Sequence, residues 1–406
     1  NSPYVDYFED QVLDLLDTFN NKVDGVWMDI VLQQDCCCNF CLERMLREGL
    51  DPEKDEDRWN LANRVILEFK KRLTGSIRQR SSDCQIFYNA GHVGPYIRSS
   101  LDCYTHLELE SLPGLRAGWG YEHFPITARF AKNLGKEYIG MTGKFHRTWG
   151  DFGGFKNQAA LEYECFATVS MGAKCCIGDQ LHPSGRICQA TYELIGSIYS
   201  RIEQMEPWLI DARPMADIAV FTSESPTGTQ HSGLNPPIRG AYRMLEELHA
   251  CFDVVDDESP LGSYRLLILP DVITLDDARK KKIENFISGG GKVILSHHSG
   301  LNEEKTGFAL ADCCVQYKGE SEFETEYVLV QPDFSEGFPS APVALYGKGA
   351  WVQPNDPATV IADLWKPYFN RTWRHFCSPH QAPPEGPSGH PAAVMNDSVA
   401  YLSHPV

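Results

Sequence analysis

The sequence lacks the signals of several common protein classes. It has no apolar run near the roughly 20 residues that a membrane-spanning helix needs. It also lacks a phosphate-binding loop, an HExxH metal motif and a GxSxG nucleophile motif. Basic residues are in the minority, with 37 Lys and Arg against 55 Asp and Glu, and the formal net charge is -18. Because that charge repels phosphates, it argues against nucleic acid or an anionic membrane as a partner.

Cysteine, by contrast, is abundant, with 14 residues in a chain of 406. The spacing does not resemble a small disulfide framework, so we expect a reducing compartment, the cytoplasm. The motif DCCCNFC contains Cys36, Cys38 and Cys41, whose spacing suits three thiolate ligands of a closed, structural zinc site. Ordinary free thiols at a junction between loop and helix are the alternative interpretation.

Five apolar stretches in the first half of the chain each end in polar and aromatic residues. They cover residues 23–29, 84–92, 103–111, 137–155 and 173–185. Helical patterns separate them, and this alternation predicts an α/β fold with a parallel sheet and a site at the carboxyl ends of its strands. Five strands in an open sheet would leave two unprotected edges. We therefore expect residues 1–212 to hold the last five strands of a (β/α)8 TIM barrel, with the first three outside this sequence.

A second α/β pattern predicts a flavodoxin-like domain over residues 213–406. Apolar strands are expected at 216–223, 265–272 and 292–297, with helices at 239–251 and 275–288. The triple glycine at 289–291 ends a helix, whereas a phosphate-binding fingerprint follows a strand. The last of these strands ends in SHHSG without a cysteine nucleophile, so a scaffold or oligomerisation role is favoured over an amidotransferase. The tail from about 335 is predicted to be irregular, and its last stretch, 393–406, is a candidate to complete the sheet.

Carboxylates at the strand ends suit glycoside hydrolysis, which needs two carboxyl groups about 5 Å apart for retention or about 6.5–9.5 Å apart for inversion. Asp29 ends the first strand, where a turn cap is the alternative role. Alternation places His106, Glu108 and Glu110 on one face of the third strand. Neighbouring strands lie about 4.8 Å apart, so side chains two strands apart can meet across a sugar. We select Asp29 and Glu108 as catalytic, with Glu110 nearer the rim and Glu122 as a rival acid.

Further polar and aromatic side chains near the strand ends are candidates for substrate binding. They are Asn89, His92, His106, Glu110, Trp119, Glu122, His123, His146, Trp149, Asp151, Asp179 and His182. Tryptophan faces stack on sugar rings, and histidine, amide and carboxylate groups bind hydroxyls. The alternative roles are ordinary ones, since loop aromatics often cover a core and neighbouring polar groups often brace each other.

Several long motifs resemble a family of bacterial glycoside hydrolases related to the α-L-fucosidases of family 151. They are VDGVWMDIV, YNAGHVGP, YTHLELESLP, GWGYEHFP, MTGKFHRTWGDFGGFK and GDQLHPSGR. The resemblance covers roughly residues 1–380. It implies a TIM barrel, a flavodoxin-like domain similar to the trimerisation domain of family 42 β-galactosidases, and a small β-domain. From MADIAVFTS onward, the sequence is similar to that second domain.

The resemblance also implies chemistry. It suggests a retaining exo-glycosidase that acts on a terminal sugar of an oligosaccharide or glycoside and forms a homo-oligomer, a dimer or trimer. Asp29 is similar in position to the fucosidase nucleophile at the end of the fourth barrel strand, and Glu108 is the expected acid/base. Family 42 β-galactosidases bind zinc through cysteines spaced like Cys36, Cys38 and Cys41, so structural zinc is expected and no other cofactor is required.

Three alternatives remain open at this stage. A β-galactosidase or another exo-glycosidase would use the same scaffold. A non-catalytic carbohydrate-binding or scaffold protein would bind sugar without hydrolysis. A zinc-dependent hydrolase would need an open metal position with histidine ligands, and the cysteine cluster argues against it.

Overall fold

The computed structural model describes residues 2–114, 119–225 and 234–406. These residues form two compact units. The first consists of residues 2–214 with the described residues between 224 and 234, and the second of residues 215–223 and 235–406. The predicted boundary between 212 and 213 lies close to this division, although the chain crosses back briefly into the first unit around Glu224. In the described ranges, no helix has both the length and the apolarity that crossing a membrane requires.

The first unit contains the five predicted strands, each followed by a helix or a loop. Its strands are β1 (Gly25–Met28), β2 (Gln85–Tyr88), β3 (Leu107–Glu110), β4 (Tyr138–Gly143) and β5 (Lys174–Gly178). Its α-helices are α1 (Tyr4–Thr18), α2 (Asn39–Glu48), α3 (Asp55–Arg80), α4 (His123–Ala131), α5 (Gln158–Ser170) and α6 (Gln189–Leu209). The long helix α3 starts with acidic residues and ends with Arg78 and Arg80, which suits the helix dipole.

The strands of the first unit are parallel and follow one another in chain order. β1 pairs with β2, with Met28 opposite Tyr88, and β4 lies between β3 and β5. The gap between the two groups is bridged by the N–H of Thr105, just before β3, which donates to the carbonyl of Ile86 in β2 at 3.0 Å. The described strands thus form an arc with all carboxyl ends at one edge. Closure into a TIM barrel is not seen in this arc and stays a prediction.

Helices pack on the outside of this arc through apolar side chains. α5 and α6 share a core with Leu161, Cys165, Ile198 and Ile202. α6 runs through Pro207 and ends at Leu209. Pro207 lies in the last turn, where it removes one N–H donor while Ile210 still donates to the Glu206 carbonyl at 3.0 Å.

The second unit has the strand order of a flavodoxin-like sheet. Its first elements are β6 (Ile218–Phe221), α7 (Pro236–Glu247), β7 (Phe252–Val255), β8 (Leu266–Leu269), α8 (Asp277–Ser288) and β9 (Lys292–Ser296). The final strand is β16 (Val399–Leu402), and the parallel order is β7-β6-β8-β9-β16. This is the 2-1-3-4-5 order of doubly wound sheets, and the last stretch of the chain does complete it.

Six further strands lie between β9 and β16, and the four of them after residue 335 show that the predicted irregular C-terminal segment is wrong. The six are β10 (Val315–Glu320), β11 (Thr325–Val330), β12 (Val343–Tyr346), β13 (Ala350–Pro354), β14 (Thr359–Pro367) and β15 (Pro384–Met395). All pair in antiparallel fashion. The proline-rich residues 384–391 form most of β15, and the pairing of β15 with β14 has several register shifts. Bulges of this kind accommodate proline, which cannot donate to the ladder.

Gly140 in β4 sets how closely the helices approach the sheet. An added Cβ there would lie 2.5 Å from the Thr168 side chain of α5 and 2.6 Å from the Phe124 ring of α4. We expect Gly140→Ala to lower the free energy of unfolding by about 1–3 kcal/mol through overpacking. Urea denaturation followed by tryptophan fluorescence measures the change.

Gly196, in the middle of α6, is the matched control for this substitution. A Cβ there meets no atom within 4 Å, so Gly196→Ala should raise the free energy of unfolding by about 0.5–1 kcal/mol through its better helix propensity. Equal effects of the two substitutions would contradict the close approach at Gly140.

Candidate active site

The carboxyl ends of β1, β2 and β3 bring two of the predicted carboxylates together through one amide. Asn89, directly after β2, donates from Nδ2 to Asp29 Oδ1 at 3.0 Å and to Glu110 Oε2 at 3.0 Å. Trp149 Nε1 donates to the other Glu110 oxygen at 2.5 Å. Asn89 and Glu110 are buried, whereas Asp29 is exposed. This rim layer, formed by Asp29, Asn89, Glu110 and Trp149, places an accessible carboxylate beside a fixed one.

The shared amide also limits the distance between the two carboxylates. The two N–H bonds of an amide diverge, so oxygens each 3.0 Å from Asn89 Nδ2 lie about 5 Å apart. Retaining glycosidases hold their two carboxyl groups about 5–5.5 Å apart, and inverting enzymes hold theirs about 6.5–9.5 Å apart. Two atoms that are each 3.0 Å from a third are at most about 6 Å apart, so these oxygens of Asp29 and Glu110 are closer than the inverting range.

A second layer of side chains lies two residues earlier on each of the same strands. Trp27 Nε1 donates to Glu108 Oε2 at 3.0 Å, and His106 Nε2 lies 2.9 Å from Glu108 Oε1. The Phe87 ring stacks on His106 with 5.7 Å between ring centroids. Glu108 thus faces the same side as Glu110, two residues earlier on β3, and both of its oxygens have partners, as both oxygens of Glu110 do. The predicted role of Glu108 as acid/base stays a prediction.

The predicted residues His92 and His123 form a buried hydrogen-bonded brace. His92 Nδ1 lies 3.0 Å from His123 Nε2, and the other nitrogen of His92 lies 2.8 Å from Glu224 Oε2. His123 Nδ1 is 3.2 Å from the Ser111 hydroxyl. Burial, and then the neighbouring His92, hold the pKa of His123 well below its usual range, so its ring is neutral near pH 7. Trp119 covers the brace with its ring centroid 4.8 Å from that of His123.

The brace has a consequence for substrate contact. His92 and His123 are only 6% and 1% exposed, so they hold the strand ends in place and do not present a surface to a ligand. Trp119 is the member of the group that remains partly exposed. Glu122 is also partly exposed and is the residue immediately before α4.

The loops after β4 and β5 place the other candidates around the rim layer. Trp149 approaches β5 so closely that a Cβ on Gly178 would lie 2.0 Å from its ring. Asp179 has a buried partner, Lys144, with Nζ and Oδ1 3.7 Å apart. His182 is exposed and pairs with Ser184 of its own loop at 2.8 Å. Two more predicted residues, His146 and Asp151, are exposed and half-buried, respectively.

The predicted cysteine cluster comes together at the start of α2. Cys36, Cys38 and Cys41 each offer a sulfur, and the three sulfurs lie within 4.8 Å of one another. Cys38 directly precedes α2, and hydrogen bonds from the Cys41 backbone and the Cys36 thiol lower its pKa. Thiolate is the form that binds zinc, and a helix N-terminus favours it. The three sulfurs therefore fit three of the four ligand positions of a structural zinc ion.

Sequence reasoning missed three functional neighbours of the site. Trp27 lies two residues before Asp29, so the period-2 rule that grouped Glu108 with Glu110 could have found it. Lys144 follows β4 directly, at the same edge as the other candidates. Glu224 offered no such signal, because it lies far away in sequence, beyond the first strand of the second unit.

The comparisons with known proteins agree with the motifs. Residues 221–315 match the β-galactosidase trimerisation domain. Over 99% of its length, the chain is similar to α-L-fucosidase isoenzyme 2 from Paenibacillus thiaminolyticus, with 38% sequence identity and a TM-score of 0.92, and it covers 61% of that enzyme. A β-galactosidase from Bacillus circulans sp. alkalophilus shares the fold, with 14% identity, a TM-score of 0.67 and coverage of 87% of this chain and 55% of that one.

A curated relative, the β-galactosidase BgaP of Planococcus sp. strain L4, is 24% identical over 182 residues, which are 39% of this chain and 27% of that protein. The chain thus spans less than two thirds of each of these relatives. The resemblance to α-L-fucosidases and the trimerisation domain predicted from the motifs are both confirmed. The relatives of this chain are glycoside hydrolases, and its second unit contains their trimerisation domain.

Proposed function

We propose that this chain belongs to a retaining exo-glycosidase that removes a terminal sugar, with α-L-fucosides as the preferred substrates. The observation that carries the proposal is the pair Asp29 and Glu110, each 3.0 Å from one amide nitrogen. The 38% identity with an α-L-fucosidase supports the choice of sugar. The trimerisation domain supports a homo-oligomer as the working form.

In this proposal Asp29 is the nucleophile, because it is the exposed carboxylate of the rim layer. Its oxygen bonds to the anomeric carbon as the glycosidic C–O bond breaks, and an acid gives a proton to the leaving oxygen. The same acid, now a carboxylate, later takes a proton from the water that displaces Asp29 from the sugar. Both steps need the second carboxyl group within reach of the same anomeric centre.

The acid/base is assigned to Glu110, with Glu108 as the alternative. Glu110 lies about 5 Å from Asp29, which is the spacing that a retaining pair needs. Glu108, the choice made from the sequence, contacts Trp27 and His106 one layer deeper. The ring of Trp27, which is 43% exposed, supports binding of an apolar sugar face.

A β-galactosidase is the second candidate, because the matched domain and the curated relative both come from β-galactosidases. A panel of p-nitrophenyl glycosides assayed with the full-length protein separates the two candidates. We expect turnover of the α-L-fucoside with retention at the anomeric carbon, read by NMR of the first product formed. Turnover of the β-galactoside alone would replace the sugar and keep the mechanism, and inversion would contradict the paired carboxylates.

Three substitutions test the residue roles. Asp29→Asn should remove turnover, because the nucleophile is lost. Glu110→Gln should slow substrates with poor leaving groups by about 10²–10⁴-fold and activated aryl glycosides much less, because only the former need the acid. Azide should rescue Glu110→Gly on activated substrates, with a glycosyl azide of retained configuration as the product.

Two controls accompany these substitutions. Glu203→Gln changes an exposed carboxylate of α6 and should leave kcat unchanged. Glu108→Gln should raise KM more than it lowers kcat if Glu108 only positions His106 and Trp27. If Glu108→Gly shows the leaving-group dependence and the azide rescue, and Glu110→Gly shows neither, then Glu108 is the acid/base.

We also propose that Cys36, Cys38 and Cys41 hold a structural zinc ion. The ion would fix the segment after β1 to the start of α2, close in sequence to Asp29. Cys38→Ser should lower the zinc content of the purified protein by one equivalent, measured by metal analysis after removal of loosely bound ions. Cys37→Ser is the matched control, since this neighbouring thiol lies outside the cluster and its loss should change nothing. Equal zinc content in both variants would refute the site.

A further inference from the structure

A second group of metal-ligating side chains lies in the second unit, at the carboxyl ends of its parallel strands. β9 ends at Ser296, and His297 and His298 follow it directly. Glu320 ends β10, the first antiparallel strand after β9. In doubly wound sheets the carboxyl edge is where ligands bind. The strand end SHHSG, which the scaffold interpretation left without a role, thus lies at this carboxyl edge.

The two histidines and the glutamate face one another closely. His298 Nε2 and Glu320 Oε1 form an ion pair, and His297 Nε2 lies 3.9 Å from Glu320 Oε2. The two imidazole rings are stacked, with centroids 3.7 Å apart and planes 26° from parallel. One ligand atom from each of the three residues lies within 4.8 Å of the other two.

One of these ligand atoms has no hydrogen-bond partner. The Nε2 atom of His297 is buried, and among the described residues nothing donates to it or accepts from it. Buried polar atoms are almost always paired, so the unpaired Nε2 atom is free to accept an ion or a water molecule as its partner. The His297 backbone also has a φ of +49°, a left-handed conformation that costs energy in a residue with a Cβ and that is often found at functional sites.

We propose that His297, His298 and Glu320 bind a divalent transition-metal ion of the zinc class. Two imidazole nitrogens and one carboxylate oxygen are a ligand set that zinc accepts, with the fourth position filled by water or a small ligand. The ion takes the place of the direct contact between His298 and Glu320 and gives His297 Nε2 its partner. A simple ion pair of His298 with Glu320 would leave the His297 nitrogen unexplained.

The bound ion has a structural consequence within the second unit. It joins the end of β9, in the parallel sheet, to the end of β10, in the antiparallel strands inserted after it. Such a link ties the start of the segment 297–320, directly after β9, to its end at Glu320. Because the ion binds the folded unit, its binding raises the thermal stability in proportion to the logarithm of the free ion concentration.

Zinc titration of the full-length protein tests the site, in a background that removes the cysteine cluster. The variant Cys36→Ser, Cys38→Ser, Cys41→Ser should bind one zinc ion by calorimetry. Adding His298→Asn or Glu320→Gln should weaken this binding at least about 100-fold, since even loss of an outer partner costs 10–100-fold. His375→Asn, which changes an exposed histidine of the same unit, is the control and should bind as the parent does.

Three further measurements complete the test. Far-ultraviolet circular dichroism and the Tm without metal check that the variants fold, and X-ray absorption at the zinc edge should show only nitrogen and oxygen neighbours at about 2.0–2.1 Å. Absence of zinc binding in the cysteine-free variant would overturn the proposal. Binding that survives both His298→Asn and Glu320→Gln would overturn it as well, because the ion would then lie elsewhere. None of these measurements depends on glycosidase activity.

Discussion

The rim layer depends on the side-chain amide of Asn89, which holds two carboxylates close together. Two like charges about 5 Å apart repel each other, and burial of Glu110 adds a desolvation cost. Hydrogen bonds from Asn89 and Trp149 offset that cost for Glu110. Trp149 reaches Glu110 because Gly178 leaves space for its ring, since a Cβ at Gly178 would lie 2.0 Å from that ring. Substitution of Gly178, which has no side chain of its own, would therefore disturb the hydrogen bond that Trp149 donates to the Glu110 carboxylate.

Much of this arrangement follows from sequence periodicity. Parallel strands put their carboxyl ends at one edge, and alternation puts every second side chain on one face. These two rules were enough to select Asp29, Asn89, Glu108 and Glu110 without a structure. They do not give the depth of each residue, which depends on the register between strands. The sequence pattern therefore ranked Glu108 above Glu110, whereas the structure brings Glu110 level with Asp29.

The remaining features could not be predicted from the sequence, for physical reasons. Glu224 meets His92 through a contact across 132 positions, and no local pattern encodes such a pairing. Of the strands β10 to β15, β15 was hidden because its first eight residues are rich in proline and glycine, and bulges that tolerate proline follow from the neighbouring strand, not from the residue itself. The parallel strands of the second unit, in contrast, are short apolar runs between helices and could be recognised individually.

The polar groups at the carboxyl edges of the two sheets differ in whether the protein supplies their hydrogen-bond partners. In the first unit, the protein itself supplies partners for the carboxylates of Glu108 and Glu110, namely Trp27, His106, Asn89 and Trp149. In the second unit, His297 keeps a buried nitrogen without a partner and a strained backbone. Polar groups in a packed interior are stable when they are satisfied. At the edge of the first unit the carboxylates already have protein partners, so a substrate needs to replace only water. At the edge of the second unit the imidazole of His297 lacks a partner, and the proposed metal ion supplies it.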